Sequence, residues 1–285
     1  MRFVQFLLNK AVTSLRLGIL KNDVIIDCTQ EGLSGSLVDL LNQENGFESL
    51  MSAASKATTS YPLADVKLLA PVSKPDKVLC VGMNYKEHCD ELKIPRRIQP
   101  IIFSKFASTI IGPFDNIVRP TCSEALDWEV ELVVVIGKKA KQVQLENAFD
   151  YVLGYMVGQD LTARDLVTPD FNGGQYLLGK TMDTFCPVGP CIVTKDEIPD
   201  PHNLKLKTWV NGVLKQDGTT SQMVHKIDKL IAHLSNYMIL YPGDIIMTGT
   251  PSGVGFFRTP REALKAGDLV ESEIENVGKL SNRVI

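Results

Sequence analysis

Two carboxylates, Glu129 and Glu131, stand in the otherwise apolar stretch LDWEVELVVVIG, residues 126–137. In an extended strand, side chains two apart point the same way, so both glutamates share a face with Val133 and Val135. Trp128, Val130, Leu132, Val134 and Ile136 take the other face. A strand apolar on both faces is covered on both sides, and an ionised carboxylate in it needs a counter-charge. A cation would answer both carboxylates at once; the competing reading is a strand entrance where they meet water, Lys or Arg. DLVESEIENVG provides a control, because Glu271, Glu273 and Glu275 have the same spacing. There Val270, Ser272 and Ile274 make only one modestly apolar face, and a solvated outer face accounts for the pattern.

Other segments offer further chemistry. In VGMNYKEHCDEL, His88 and Glu91 lie three apart. On a helix they share a face, and the carboxylate can orient the imidazole for proton transfer. The alternative is a solvated surface helix carrying Lys86, Glu87 and Asp90 as well. VGQDLTARDL ends an apolar run on Asp160, with Arg164 four residues on. Asp160 is either a third hard oxygen ligand, in a set that suits Mg²⁺, Mn²⁺ or Ca²⁺ better than zinc, or the partner of Arg164 at a helix start. GKTMDTFCP presents Lys180 beside a glycine, where a cation can meet an anionic substrate or a developing enolate. GDIIMTGTPSGVG ends a strand in a Gly-rich loop where Thr248 and Thr250 offer hydroxyls and backbone N–H groups to an anion; no Gly-Lys-Ser/Thr follows, so it is not a phosphate loop.

The elements that must position these groups are mostly short strands. RFVQFLL and LGILKNDVIIDC read as strands, the second a hairpin turning at Asn22-Asp23. SLVDLLNQENGFESLMSAASKA reads as one or two helices capped by Ser36. The proline-bearing stretch up to Pro75 suggests a boundary, with a small N-terminal domain over 1–74 and a main domain over 75–285. In the main domain KVLCVG, VELVVVIG, YVLGYMVG, LKTWV, DIIMTG and DLVESEI read as strands, Asn211-Gly212 as a hairpin turn, and HKIDKLIAHLSNY as a helix. Many strands and few helices make the class α+β, mainly β, with a mixed sheet.

Composition excludes several functions. The chain has 285 residues, is 44% hydrophobic and has a formal charge of -3 with interspersed signs, which offers no footprint for nucleic acid. No apolar segment reaches the roughly 20 residues of a membrane span. The opening MRFVQFLLNK lacks a secretory or transit character, so no targeting segment is expected in it. Six scattered cysteines show neither C-x-x-C pairs nor zinc-ligand spacing and read as reduced, small apolar fillers.

Taken together and in order, VGMNYKEHCDE, DWEVELVVVIGK, GYMVGQDLTARD, LLGKTMDTFCPVGP, VNG and YPGDIIMTGTPSGVG resemble the motifs of the fumarylacetoacetate hydrolase family. The resemblance covers about residues 75–285 and is nearest to the branch described as oxaloacetate tautomerases. It implies a β-rich roll or barrel with a small N-terminal α+β domain, usually as a homodimer. It implies Glu129, Glu131 and Asp160 as ligands of Mg²⁺, with Mn²⁺ or Ca²⁺ as substitutes. By the same resemblance His88 and Glu91 are the catalytic dyad, Lys180 is the active-site lysine, and Arg164 and Thr250 contact substrate. The implied activity is keto–enol tautomerisation of oxaloacetate, a 2-oxo dicarboxylate. Alternatives within the same apparatus are carbon–carbon hydrolysis of an acylpyruvate, decarboxylation of oxaloacetate, or a silent oxo-acid-binding module. The branch points to the mitochondrial matrix, with the cytoplasm as the other location. One departure stands out: where the family commonly reads Arg-Asp-x-Gln, this chain reads RDLV, so Val167 replaces a substrate-contacting amide and Asn172 or Gln175 are the candidates to replace it.

Overall fold

The computed structural model describes residues 1–9, 14–33 and 35–285. It begins with the antiparallel strands β1 (Arg2–Leu8), β2 (Arg16–Lys21) and β3 (Val24–Asp27). The β2–β3 hairpin turns on Asn22 and Asp23 at φ 48° and 61°, the left-handed pair that a two-residue type I′ turn requires. Two helices follow, α1 (Leu37–Leu41) and α2 (Gly46–Lys56). Ser36 opens α1 in a capping box: its hydroxyl accepts from the Asp39 N–H, and the Asp39 carboxylate accepts from the Ser36 N–H.

The short strands β4 (Ser60–Pro62) and β5 (Val66–Leu68) lead to β6 (Val78–Gly82), α3 (Lys86–Glu91), β7 (Ile101–Lys105) and β8 (Ile110–Ile111). Next come β9 (Leu126–Asp127), β10 (Val130–Ile136), β11 (Val152–Gln159) and β12 (Thr162–Ala163). The one-turn helices α4 (Pro169–Asn172) and α5 (Leu177–Lys180) precede β13 (Cys186–Thr194). The rest comprises β14 (Lys205–Val210), β15 (Val213–Thr219), α6 (Ile227–Tyr237), β16 (Ile245–Met247), β17 (Leu269–Ile274) and β18 (Gly278–Arg283).

One sheet of twelve strands follows the path β4-β3-β2-β1-β13-β11-β10-β16-β6-β7, with β5 on β1 and β8 on β13. The β16–β6 and β8–β13 pairs are parallel, so the sheet is mixed. Its path has two free ends, so it is not a closed barrel; the expected α+β, mainly β class holds. Four antiparallel strands form a second sheet in the order β15-β14-β17-β18, and β9 pairs with β12. Residues 1–74 and 75–285 share the large sheet through the β1–β13 pair.

Every residue of β10 is buried. Val130, Leu132, Val134 and Ile136 join a core containing Ile227, Leu230, Ile231 and Leu234 of α6. Val133 and Val135 join a second core containing Leu37, Leu40 and Leu50 of the N-terminal helices. Full burial of each such side chain contributes about 1.5–3 kcal/mol, which fixes the register. A slip of one residue would turn every side chain of the strand to the wrong face. Because β10 runs antiparallel to β11 and β16, and β16 parallel to β6, the start of β10 lies beside the ends of β6, β11 and β16. The chemically interesting loops therefore converge on one end of the sheet.

Candidate active site

The strand ladder is interrupted at Trp128 and Glu129, between β9 and β10. Two buried glutamines take its place. Gln159 Oε1 accepts from the Glu129 N–H at 2.7 Å, and Gln216 Oε1 accepts from the Val130 N–H at 3.1 Å. Gln159 also donates to the Ser272 and Thr208 hydroxyls of the second sheet, and Gln216 donates to Thr250 Oγ1 and to the Pro251 carbonyl. The Asp160 N–H donates to the Glu129 carbonyl at 2.9 Å. This frame brings oxygens of Glu129, Glu131 and Asp160 within 4.8 Å of one another, all three side chains buried. The control strand behaves as its pattern predicts: on β17 Val270, Ser272 and Ile274 are buried, Glu271 is half-buried and Glu273 is exposed.

Four buried carboxylates meet three buried cations here. Arg164 Nε donates to Asp127 Oδ2 at 2.8 Å and its Nη2 to Glu129 Oε1 at 2.5 Å. Lys180 Nζ lies 3.0 Å from Glu129 Oε2 and 2.6 Å from Asp160 Oδ2. Lys105 Nζ lies 2.8 Å from Asp160 Oδ1 and donates to the Leu161 and Lys180 carbonyls at 2.9 and 2.6 Å. Burial works against the ionised form of Glu129, but Lys180 and Arg164 outweigh it and hold the carboxyl down at about 2. Glu131 goes the other way. Burial and the neighbouring charges of Asp160 and Glu129 push its carboxyl well above the ordinary range, and its one hydrogen bond among the described residues comes from the Gly249 N–H at 2.7 Å. With four carboxylates against three cations, one negative charge is left over, and either a proton on Glu131 or an added cation balances it. An all-carboxylate oxygen set with that excess charge fits a hard divalent cation such as Mg²⁺, Mn²⁺ or Ca²⁺.

The expected His88–Glu91 pair is formed on α3. His88 is 3% exposed, and its Nδ1 lies 2.9 Å from Glu91 Oε2. A carboxylate acceptor places the ring proton on Nδ1 and leaves Nε2 free to accept another. Glu91 Oε1 accepts from the Gly253 N–H at 3.3 Å, and the Phe257 ring flanks His88 with centroids 6.0 Å apart. Asn84, fully buried ahead of α3, accepts from the His225 N–H and donates to the His225 and Thr248 carbonyls. It thereby ties α3 to the loop that carries Gly249. That glycine has φ +96°, and a Cβ there would stand 2.8 Å from Asn84 Cβ. Gly249→Ala is expected to lower the Tm and weaken divalent-cation affinity about tenfold by moving the N–H off Glu131, both readable by calorimetry.

His88, Glu129, Glu131, Arg164, Lys180 and Thr250 line one narrow cavity of about 40 Å³, open on one side, together with Val81, Gly82, Met83, Phe103, Val167 and Tyr176. Three expectations need correction. Asp160 and Arg164 do not share a helical turn: Asp160 follows β11, Thr162 and Ala163 form β12, a 3-10 turn begins only at Arg164, and the Arg164 side chain reaches Asp127 and Glu129 instead of Asp160. Neither Asn172 nor Gln175 lines the cavity, and Asn172 Nδ2 is turned back onto the Gln175 carbonyl at 3.1 Å. Thr248 is fully buried with its hydroxyl on the Leu132 carbonyl, so its side chain is not offered to an anion. Asp127 and Lys105 were not anticipated. Asp127 accepts from the Gly255 and Phe256 N–H groups as well as from Arg164, and its place two residues before Glu129 was the signal. All six cysteines are free; five are buried, and burial pushes the Cys186 thiol up to about 12, as suits an inert filler, whereas Cys122 is exposed and is not one. Among the described residues no helix is long and apolar enough to cross a membrane.

Comparison with known proteins agrees with this geometry. Residues 77–285 match the fumarylacetoacetate (FAA) hydrolase C-terminal family. The chain is 51% identical over 257 residues to "Oxaloacetate tautomerase FAHD2B, mitochondrial" of Bos taurus, covering 89% of this chain and 81% of that one. It is 52% identical over 242 residues to "Oxaloacetate tautomerase FAHD2A, mitochondrial" of Homo sapiens, covering 84% and 77%. Among solved structures, fumarylacetoacetate hydrolase from psychrophilic Exiguobacterium antarcticum superposes with TM-score 0.85 at 35% identity, covering 100% of this chain and 99% of that one. Maleylpyruvate hydrolase from Sphingobium sp. SYK-6 gives TM-score 0.83 at 33% identity, with the same coverage. With the family match spanning most of its length and relatives at half identity, the chain belongs to the fumarylacetoacetate hydrolase family.

Proposed function

We propose that this chain is a divalent-cation-dependent enzyme that interconverts the keto and enol forms of oxaloacetate. The observation that carries this reading is one cavity lined by a carboxylate-backed histidine and by Glu129 and Glu131, whose oxygens form with Asp160 a buried set suited to a hard cation. Glu129, Glu131 and Asp160 hold the cation, Mg²⁺ with Mn²⁺ or Ca²⁺ as substitutes. When bound, it withdraws electron density from the 2-oxo group and so eases loss of a proton from C3. His88 Nε2 takes that proton, while Glu91 keeps the other ring proton on Nδ1 and stabilises the imidazolium. Lys180, on the carboxylate side of the cavity, adds positive charge toward the oxygen that becomes negative. Arg164 orients the substrate, and Thr250, whose hydroxyl is bonded to the Val130 carbonyl and Gln216, offers its backbone N–H. His88 returns the proton to oxygen, giving the enol, or to carbon, giving the ketone; nothing else is consumed.

Carbon–carbon hydrolysis would use the same dyad to activate a water. Relatives at 51% and 52% identity carry the tautomerase name, whereas the two hydrolase structures stand at 35% and 33%, which favours the isomerase. A spectrophotometric comparison of oxaloacetate, acetylpyruvate and fumarylpyruvate, with Mg²⁺ and with EDTA, tests the choice. The expected result is Mg²⁺-dependent loss of the oxaloacetate enol absorbance with no cleavage of the other two; cleavage without tautomerisation would reverse the assignment. His88→Asn is expected to lower the tautomerisation rate about 10²–10⁴-fold while leaving cation affinity within about twofold. A mitochondrial location, supported by the relatives' names, with the matrix as the compartment, and a homodimer complete the proposal; fractionation of cells and light scattering test them.

A further inference from the structure

We propose that Tyr176 recognises the end of the substrate remote from the cation, an inference that rests on the 2-oxo-acid reading above. The residues lining the cavity differ in chemistry. The charged side chains are engaged with each other: Arg164 with Asp127 and Glu129, Lys180 with Glu129 and Asp160. Among the apolar and aromatic lining residues Val81, Met83, Phe103, Val167 and Tyr176, only Tyr176 carries a hydroxyl. Its hydroxyl makes no hydrogen bond to any described residue, whereas the Thr250 hydroxyl in the same cavity makes two.

Packing holds the tyrosine in place. The Tyr176 ring stands edge to face on Phe103, with centroids 5.1 Å apart at 67°, and Phe103 in turn lies 5.1 Å from Lys180 Nζ. Gly179 fits so tightly that a Cβ would lie 2.4 Å from Val167 Cγ1, so Val167, which also lines the cavity, packs directly on the helix that carries Lys180. A single neutral O–H donor bonds a carboxylate or a ketone oxygen, and a ligand without an acceptor leaves it desolvated and unpaired. Tyr176 therefore selects 2-oxo acids that carry an oxygen acceptor at C4, without demanding that it be charged.

Tyr176→Phe keeps the stacked ring and removes only the hydroxyl. Calorimetry on the Mg²⁺-loaded protein compares oxaloacetate, which has the C4 acceptor, with oxalate, which has no such arm. The variant is expected to bind oxaloacetate about tenfold more weakly and oxalate within twofold of wild type. Equal loss for both ligands, or no loss for oxaloacetate, overturns the role of Tyr176. Turnover is scored separately in the wild type: absent tautomerisation with the affinity difference intact would overturn the enzyme assignment and uphold Tyr176.

Discussion

Glu131→Gln should abolish cation-dependent turnover and, at the same time, make the cation-free protein more stable at neutral pH. The first effect follows from removing one of three ligand carboxylates; several kcal/mol of Lewis-acid stabilisation corresponds to a loss of roughly 10³-fold in rate. The second follows from the charge balance. Glu131 is the carboxylate whose pKa burial, Asp160 and Glu129 raise well above its ordinary value of 4.5. In the unfolded chain it ionises near that ordinary value, while in the fold it resists, so wild-type stability falls as pH rises above about 4.5 toward the raised pKa. A glutamine accepts the Gly249 N–H equally well and has no such penalty. The gain in Tm should grow from pH 5 to 8 and disappear near pH 4 in chelator-treated protein. Wild-type cation affinity in the variant, or a lower Tm at pH 8, would contradict the assignment of Glu131.

Lys105→Met is the second large expectation, and it acts from outside the cavity. Its side chain is 0% exposed, and the ammonium lies 2.8 Å from Asp160 Oδ1 as a counter-charge and donates to the carbonyls of Leu161 and Lys180. Methionine fits the stem but leaves two carbonyls unpaired and removes the counter-charge beside Asp160. Breaking a buried pair by removing one member costs about 3–5 kcal/mol, which in a chain of this size corresponds to a fall in Tm on the order of 10 °C. Asp160 also loses the group that fixes one of its oxygens, and cation affinity should fall about 10–100-fold. Thermal unfolding with EDTA separates the first effect from the second, which calorimetric titration with Mg²⁺ reads directly. A variant of unchanged Tm would show that Lys105 carries no structural charge pairing.

Much of this site was legible because its residues obey local periodicities. The two-spaced glutamates on a strand apolar on both faces, the Asn22-Asp23 turn, the Ser36 cap and the three-spaced His88–Glu91 pair each depend on neighbours within a few positions. What depends on long-range pairing was not legible. The four-residue spacing of Asp160 and Arg164 suggests a helical turn, but the chain between them is extended, and Arg164 turns to Asp127, 37 residues away. Strand β13 hides behind Pro187, Gly189 and Pro190; its pairing with β11 shifts register between the Val157 and Tyr155 rungs, which absorbs the missing N–H of Pro190. Lys105 ends the apolar run IIFSK, and only the assembled fold shows that its ammonium points inward.

Gln159 and Gln216, the two amides that replace the broken ladder at Glu129 and Val130, also bear on how this site can change over generations. Backbone pairing within a sheet offers mutation little to act on, but a side-chain amide can be exchanged, shortened or shifted by replacing its own anchors. Those anchors, Thr208 and Ser272, sit on the second sheet. Sequence drift in that sheet can therefore adjust the position of the Glu129 carboxylate while every residue facing the substrate stays as it is.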